Sequence, residues 1–257
     1  GLISSFEENG FQISTPSMRI ESITHETLVS LKKSGLKTLT IAPESINKLR
    51  LAINKDISDE IIFNVIEDAV SLGLNLKLYF LVGLPTEDDE DIKELSRFIK
   101  KIDSMKYNID SNSKTSSKNA KVSIKFSVNP VIPKPHTPLQ WETYDIKSIK
   151  SKIKYLKKDL KNINIKFDSA KMGLIQYVLS CGDKDVGKLL EDSLYRKVSL
   201  KEWKEKVPNY DIGESLPWDK INVSVSKEFL LEEYEKITNK QQTPWCKSDP
   251  CYNCGAC

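Results

Sequence analysis

A stretch of nearly continuous apolar residues, Leu74 to Val82, sits between two segments of helical periodicity. Before it, Ile61, Ile62, Val65, Ile66, Ala69 and Val70 recur at helical spacing behind Ser58, a good N-cap. After it, the acidic run Glu87 to Asp91 suits the first turn of another helix, with Thr86 and Asp89 spaced as a capping box. A short apolar run bounded by helices on both sides is the pattern of a strand in a parallel sheet, buried on both faces. This constrains the chain more than any other feature.

The same alternation extends in both directions. Phe11 to Glu21 reads as a strand, Thr24 caps a helix over His25 to Lys33, and Gly35 stops it. Lys37 to Ala42 is a second strand and Val122 to Val128 a fourth, with Ile163 to Phe167 a further candidate. Asp145 to Lys161, Ala170 to Ser180 and Val186 to Arg196 read as helices. The predicted class is α/β, an incomplete β/α barrel that holds only the later strands. Residues 1–142 form this part, with a polar loop insertion over 103–121 that has little order. A mostly helical extension occupies 143–240, and a cysteine-rich tail 241–257. Too few strands are present to close a barrel, and the absence of an initiator Met suggests a piece of something longer.

Composition excludes more than it assigns. The chain has 257 residues, with Lys+Arg 39 against Asp+Glu 36, so a net charge of +3 gives no global electrostatic case for nucleic acid. Neither a membrane-spanning run nor a secretory leader is visible, which points to the cytoplasm.

Four of the five cysteines lie in the tail as Cys246-x4-Cys251-x2-Cys254-x2-Cys257. Disulfides that stabilise a fold close long loops, and this clustering does not. Thiolates at two-residue spacing wrap around an ion or cluster, so a metal site is expected, either an auxiliary [4Fe–4S] cluster or Zn²⁺. A redox-labile tail without metal is the alternative. Cys181 stands in an apolar helical stretch and reads as a core residue.

In a parallel β/α array, chemistry concentrates at the carboxyl ends of the strands. There the sequence places Glu44-Ser45, then Gly83-Leu84-Pro85-Thr86, then a proline-rich loop ending in Pro135-His136-Thr137-Pro138. Glu44 at a strand mouth accepts hydrogen bonds from an ammonium or from hydroxyls, or it caps a helix. Gly83 lets a ligand approach the backbone and Pro85 stiffens the turn, or the four residues are a plain βα turn. Prolines pre-set the loop that carries His136 and Thr137 over a pocket, or His136 is a packing residue.

Leu39–Lys55 (LTIAPESINKLRLAINK) and Lys77–Asp91 (KLYFLVGLPTEDDED) resemble the fourth and fifth strand regions of radical S-adenosylmethionine (SAM) enzymes. Ser17–Ser22 resembles the third strand, and Asn129–Trp141 (NPVIPKPHTPLQW) the sixth with its exit loop. The variant around Gly83 is similar to the methylthiotransferase- and cobalamin-associated branch. The run Leu216-Pro217-Trp218-Asp219 and the tail Thr243–Cys257 resemble the C-terminal extension of an uncharacterised bacterial family with a cobalamin-binding domain ahead of its barrel.

The resemblance implies a barrel that binds SAM and a [4Fe–4S] cluster and generates a 5′-deoxyadenosyl radical. It implies Arg19 on the SAM carboxylate, Glu44 and Ser45 beside its amino-acid or ribose part, Gly83 and Pro85 by the adenine, and His136 and Thr137 toward substrate. It also implies upstream strands and a cobalamin domain as partners of this segment. The sequence departs from the pattern in two respects: the CxxxCxxC that holds the catalytic cluster does not occur, and the cobalamin domain is absent from this chain. The chain alone is therefore expected to be inactive. A lysine-rich stretch (Lys147, Lys150, Lys152, Lys154, Lys157, Lys158, Lys161 and Lys166) reads either as an RNA-binding face or as a solvated helix surface. The competing function is a non-catalytic metal-binding interaction module, with RNA as the candidate partner.

Overall fold

The computed structural model describes residues 15, 17–110, 122–244, 246, 251, 252, 254 and 255. Four strands form one parallel sheet in sequential order: β1 (Thr38–Glu44), β2 (Asn75–Val82), β3 (Ile124–Pro130) and β4 (Ile165–Phe167). Helices fill every connection. They are α1 (His25–Lys33) before β1, α2 (Asn47–Ala52) and α3 (Asp59–Ser71) between β1 and β2, α4 (Asp89–Ser104) after β2, and α5 (Ile146–Asp159) after β3. Beyond β4 come α6 (Ala170–Cys181), α7 (Asp185–Asp192), α8 (Leu200–Glu205) and α9 (Lys227–Thr238). β4 lies beyond residue 142, so the sheet continues into the stretch expected to be a helical extension.

Register explains the layering. Ile41, Leu78, Phe126 and Ile165 lie side by side across the four strands, and the first three are buried. One residue further along β2, Tyr79 pairs with Ser127, which pairs with Lys166; one residue back, Lys77 pairs with Thr40 and Lys125. Side chains alternate across a strand, so these residues share the opposite face. Lys77, Lys125 and Lys166 are exposed there. The expectation that β2 is buried on both faces is therefore corrected. Leu76, Leu78, Phe80 and Val82 are buried, but Lys77 reaches solvent with its ammonium 4.8 Å from the Tyr79 ring, and Tyr79 and Leu81 are half-buried. Phe80 centres the covered face, with Phe98 and Phe126 at ring separations of 6.2 and 6.3 Å.

Element boundaries shift for local reasons. Ser58 caps α3 by accepting the Ile61 N–H, and Gly35 and Gly73 follow α1 and α3 in the left-handed region (φ 98° and 71°). α4 begins differently from the expectation. Asp88 is its cap, with Asp91 closing a capping box, while Thr86 sits at φ 63° in the preceding turn. The capping carboxylate two residues later is the better acceptor, and it leaves Thr86 to turn the chain.

The strand expected to run to Glu21 does not. Ile20–Ser22 is a 3₁₀ turn, although the Met18 N–H still donates to the Thr40 carbonyl at 3.2 Å beside β1. The start of that predicted strand, through residue 14, lies outside the described residues. The insertion expected over 103–121 is in part ordered: α4 runs to Ser104 and Met105–Asp110 is 3₁₀-helical, with Met105 buried. Residues 111–121 are outside the described set. Among the described residues, no helix is long and apolar enough to cross a membrane.

Candidate functional site

Because β1, β2 and β3 are parallel neighbours, their carboxyl ends lie along one edge of the sheet. Each end has its own construction.

At the first, Ile41 aligns with Leu78 but Glu44 with Phe80, so β1 carries one extra residue opposite β2. The bulge falls at Pro43, which has no N–H to give the ladder. It turns Glu44 to φ 66° and closes on itself through Ser45 N–H to Pro43 O at 2.9 Å. The Glu44 carboxylate receives the Lys55 ammonium at 3.0 Å, and Lys55 also donates to the Ala42 carbonyl at 2.6 Å. Ser45 is fully buried and its hydroxyl has no partner. A buried hydroxyl without a hydrogen bond is uncommon, and this one lies at a strand mouth.

Arg50 holds the turn in place. Its side chain is fully buried on α2; it donates to the Ser45 and Ile57 carbonyls and pairs with Asp59, while Phe98 faces the guanidinium at 5.6 Å. Sequence reading passed over it. The visible signal was a charged residue inside the apolar spacing of Leu49, Leu51 and Ala52. Glu44, by contrast, caps no helix: α2 begins after Ile46 without a side-chain cap.

At the second end, Gly83 adopts φ 90°, and a Cβ there would press on Ile149 of α5 at 3.3 Å. Its N–H donates to Glu87 Oε1 at 2.7 Å. The glycine thus permits a close approach of helix to backbone, and its amide is already used. Lys152 donates to the same carboxylate at 2.8 Å, and the Glu87 side chain is wholly buried. Burial pushes the Glu87 carboxyl above its ordinary range, against the opposing pull of Lys152 and the Gly83 amide. Pro85 joins Gly83 in lining a cavity of about 220 Å³ that also borders Val131, Pro133 and Tyr144.

The third end leads into the proline-rich loop. The Thr137 hydroxyl donates to the Lys134 carbonyl at 2.8 Å and so closes the turn. His136 sits at φ 55° with its N–H on Gln140 Oε1 at 3.2 Å, and its Nε2 is buried without a partner. It lines a second cavity, of about 350 Å³, with Gln140, Asp219 and Lys227. Glu44 and Ser45 line neither of these two cavities. Arg19 lies beside β1 through its neighbour Met18, and its guanidinium is paired with Glu21 at 2.5 and 2.8 Å.

The tail is anchored independently of any metal. The Thr243 N–H donates to Asn54 Oδ1 at 2.9 Å, and Thr243, Lys236 and Asn54 all bond the buried Glu233 of α9. The Cys254 carbonyl accepts the Ser226 N–H at 2.7 Å, and Gly255, at φ 85°, lies against the Ser224 carbonyl where no Cβ would fit. Cys246 and Cys251 are exposed and Cys254 is half-buried. Among the described residues no three potential ligands are gathered as a metal site; Cys257 lies outside them. Cys181 is a core residue, its thiol pushed up to about 11 by burial and directed at the Pro133 carbonyl at 3.4 Å. On α5, Ile149, Ile153 and Leu156 face the core and Lys152 is spent on Glu87. The remaining lysines lie on the solvated side.

Residues 2–99 match the family model described as "Radical SAM superfamily". Over 196 residues the chain is 38% identical to a curated protein of Methanocaldococcus jannaschii named "Uncharacterized protein MJ0966". The match covers 75% of this chain and 40% of that relative, so the chain spans well under half of the relative's length. Among solved structures it is similar to coproporphyrinogen III oxidase (HemN) of Escherichia coli, described as a radical SAM enzyme. The identity is 20%, the coverage 39% of this chain and 25% of that one, and the TM-score 0.34.

Proposed function

We propose that this chain is part of a radical SAM enzyme and that its strand ends hold SAM. The observation that carries the reading is the match of residues 2–99, which contain β1, β2 and both of their mouths, to the radical SAM superfamily. Two features of the site support it. The mouths of three parallel strands lie along one edge, and at the first of them a fully buried Ser45 hydroxyl is unpartnered beside Glu44.

In this reading Glu44 and Ser45 meet the amino or ribose groups of SAM. Arg19 takes its carboxylate, and Gly83 and Pro85 border the adenine. His136 and the loop around Thr137 face the substrate side. SAM supplies a 5′-deoxyadenosyl group for hydrogen abstraction when cleaved reductively. The partly open sheet face, with Lys77 and Lys125 exposed and Tyr79 and Asn129 half-buried, offers a polar wall for such a cofactor.

The residues present do not fit a catalytic [4Fe–4S] cluster, since CxxxCxxC spacing is missing from the sequence. Turnover therefore belongs to the whole protein, in which the proposed partners are further barrel strands and a cobalamin-binding domain. Cys246, Cys251, Cys254 and Cys257 are proposed to take an auxiliary cluster or zinc, whose binding would have to draw the thiolates together.

Equilibrium dialysis against labelled SAM tests the reading. The chain retains SAM saturably and yields no 5′-deoxyadenosine when supplied with iron, sulfide and a reductant. Glu44→Gln keeps the acceptor for Lys55 but removes the charge, and weakens retention about tenfold. Failure to retain SAM, or retention indifferent to Glu44→Gln, would overturn it.

A further inference from the structure

The cavity beside His136 has polar chemistry that the fold leaves unused. Its floor is Gln140, 2% exposed. Oε1 of Gln140 accepts two N–H groups, from the His136 backbone at 3.2 Å and from the Trp218 indole at 2.8 Å. These two donors fix the amide orientation, so Nε2 is the atom left over and it can only donate. It is buried without a partner, and so is Nε2 of His136. Both residues line the same cavity. A buried unsatisfied nitrogen is unfavourable, and a ligand acceptor would relieve the Gln140 amide and also His136 in the tautomer that carries its proton on Nε2.

The walls narrow the choice of ligand. Asp219 contributes the carboxylate, but its Oδ2 already receives the Leu216 N–H at 2.8 Å and the Lys227 ammonium at 2.7 Å. Lys220 stands exposed at the rim. Ile221 and Val223, exposed by 62% and 40%, border the cavity with the buried Leu230. The site thus offers an amide donor at its floor, the Lys220 charge at its rim, and apolar side chains between. At about 350 Å³ it has the size of a small-molecule pocket.

We infer that this cavity binds a carboxylate carried on a small apolar body, with the carboxylate accepting from Gln140 Nε2 and meeting His136. Its position under the exit loop of β3 suits the recognised end of an enzyme substrate; that role rests on the radical SAM reading, whereas binding does not.

The chain contains only two histidines, His25 and His136, so imidazole ¹⁵N spectra read the site directly. His25 is paired with Asp68 at 3.1 Å on the surface and serves as the internal control. Sodium benzoate is expected to shift the His136 ring nitrogens saturably and leave His25 in place. Benzamide, a neutral acceptor of the same shape, binds about tenfold more weakly. Gln140→Glu keeps an oxygen for Trp218 but replaces the donor with negative charge, and abolishes the response. Lys220→Ala, on the exposed rim, weakens it several-fold without threatening the fold.

A His136 signal that benzoate does not move would overturn the inference, leaving only ordered water in the cavity. So would equal movement of both rings, equal response to benzamide, or wild-type binding by Gln140→Glu. SAM retention is measured separately. A chain that loses SAM but answers benzoate sinks the strand-mouth reading alone, and the reverse result sinks the pocket alone.

Discussion

Arg50→Ala is expected to destabilise the protein by about 3 kcal/mol, and to lower the melting temperature by about 6–12 °C. The loss has three sources. The Ser45 and Ile57 carbonyls lose buried donors, Asp59 loses its ion-pair partner, and the guanidinium over the Phe98 ring is gone. Each orphaned buried acceptor costs about 1–3 kcal/mol, while the half-exposed Asp59 is rescued by water. Arg50→Lys does not restore stability, because one ammonium cannot span acceptors that a planar guanidinium reaches together. Urea unfolding of both variants checks this; a change below about 1 kcal/mol in Arg50→Ala would contradict the role. The same substitution should also weaken SAM retention, since Ser45 would no longer be fixed.

Lys152→Met is expected to cost about 3 kcal/mol at neutral pH and much less in mild acid. Glu87 has no exposed side-chain surface, and Lys152 is its charged partner at 2.8 Å. The folded carboxyl already titrates above the ordinary glutamate value because of burial. A carboxyl with a raised folded pKa holds its proton more tightly folded than unfolded. Its contribution is therefore complete below the unfolded pKa and is lost as pH rises through the folded one. Removing Lys152 takes away a group that was lowering this pKa, so the window of loss extends upward. Denaturation at pH about 5 and about 7.5 should show a variant–wild-type gap that widens with pH. Glu87→Gln in the Lys152→Met background should flatten it. A gap independent of pH would mean that Glu87 is not the group left exposed to the change.

The strand–helix alternation was legible because each element carried a local signal. Ser58 and Gly73 bracket α3, and Leu76, Leu78, Phe80 and Val82 mark the covered side of β2. What misled was the second face of that strand. Tyr79 and Leu81 are apolar enough to suggest burial, and Lys77 alone revealed the open side. The three strand ends were also legible, since Pro43, Gly83 and the proline-rich loop are turn chemistry that any reading finds.

Partnership at those ends was not. The Lys55–Glu44 and Lys152–Glu87 pairs join residues 11 and 65 positions apart, and nothing in either neighbourhood announces the other. The Gln140–Trp218 bond, across 78 positions, is of the same kind. It places His136 in a cavity shared with the chain after Leu216 rather than with Glu44 and Gly83. The Thr137 hydroxyl closes the turn that displays His136, a role its spacing does not announce.

Ultraviolet cross-linking of SAM to the chain, followed by peptide mapping, tests the account at its centre. Adducts are expected on the segments that contain Glu44–Ser45 and Gly83–Pro85, and they should vanish when unlabelled SAM competes. Adducts confined to residues beyond Leu200, or none that competition removes, would contradict the placement of SAM at the strand ends.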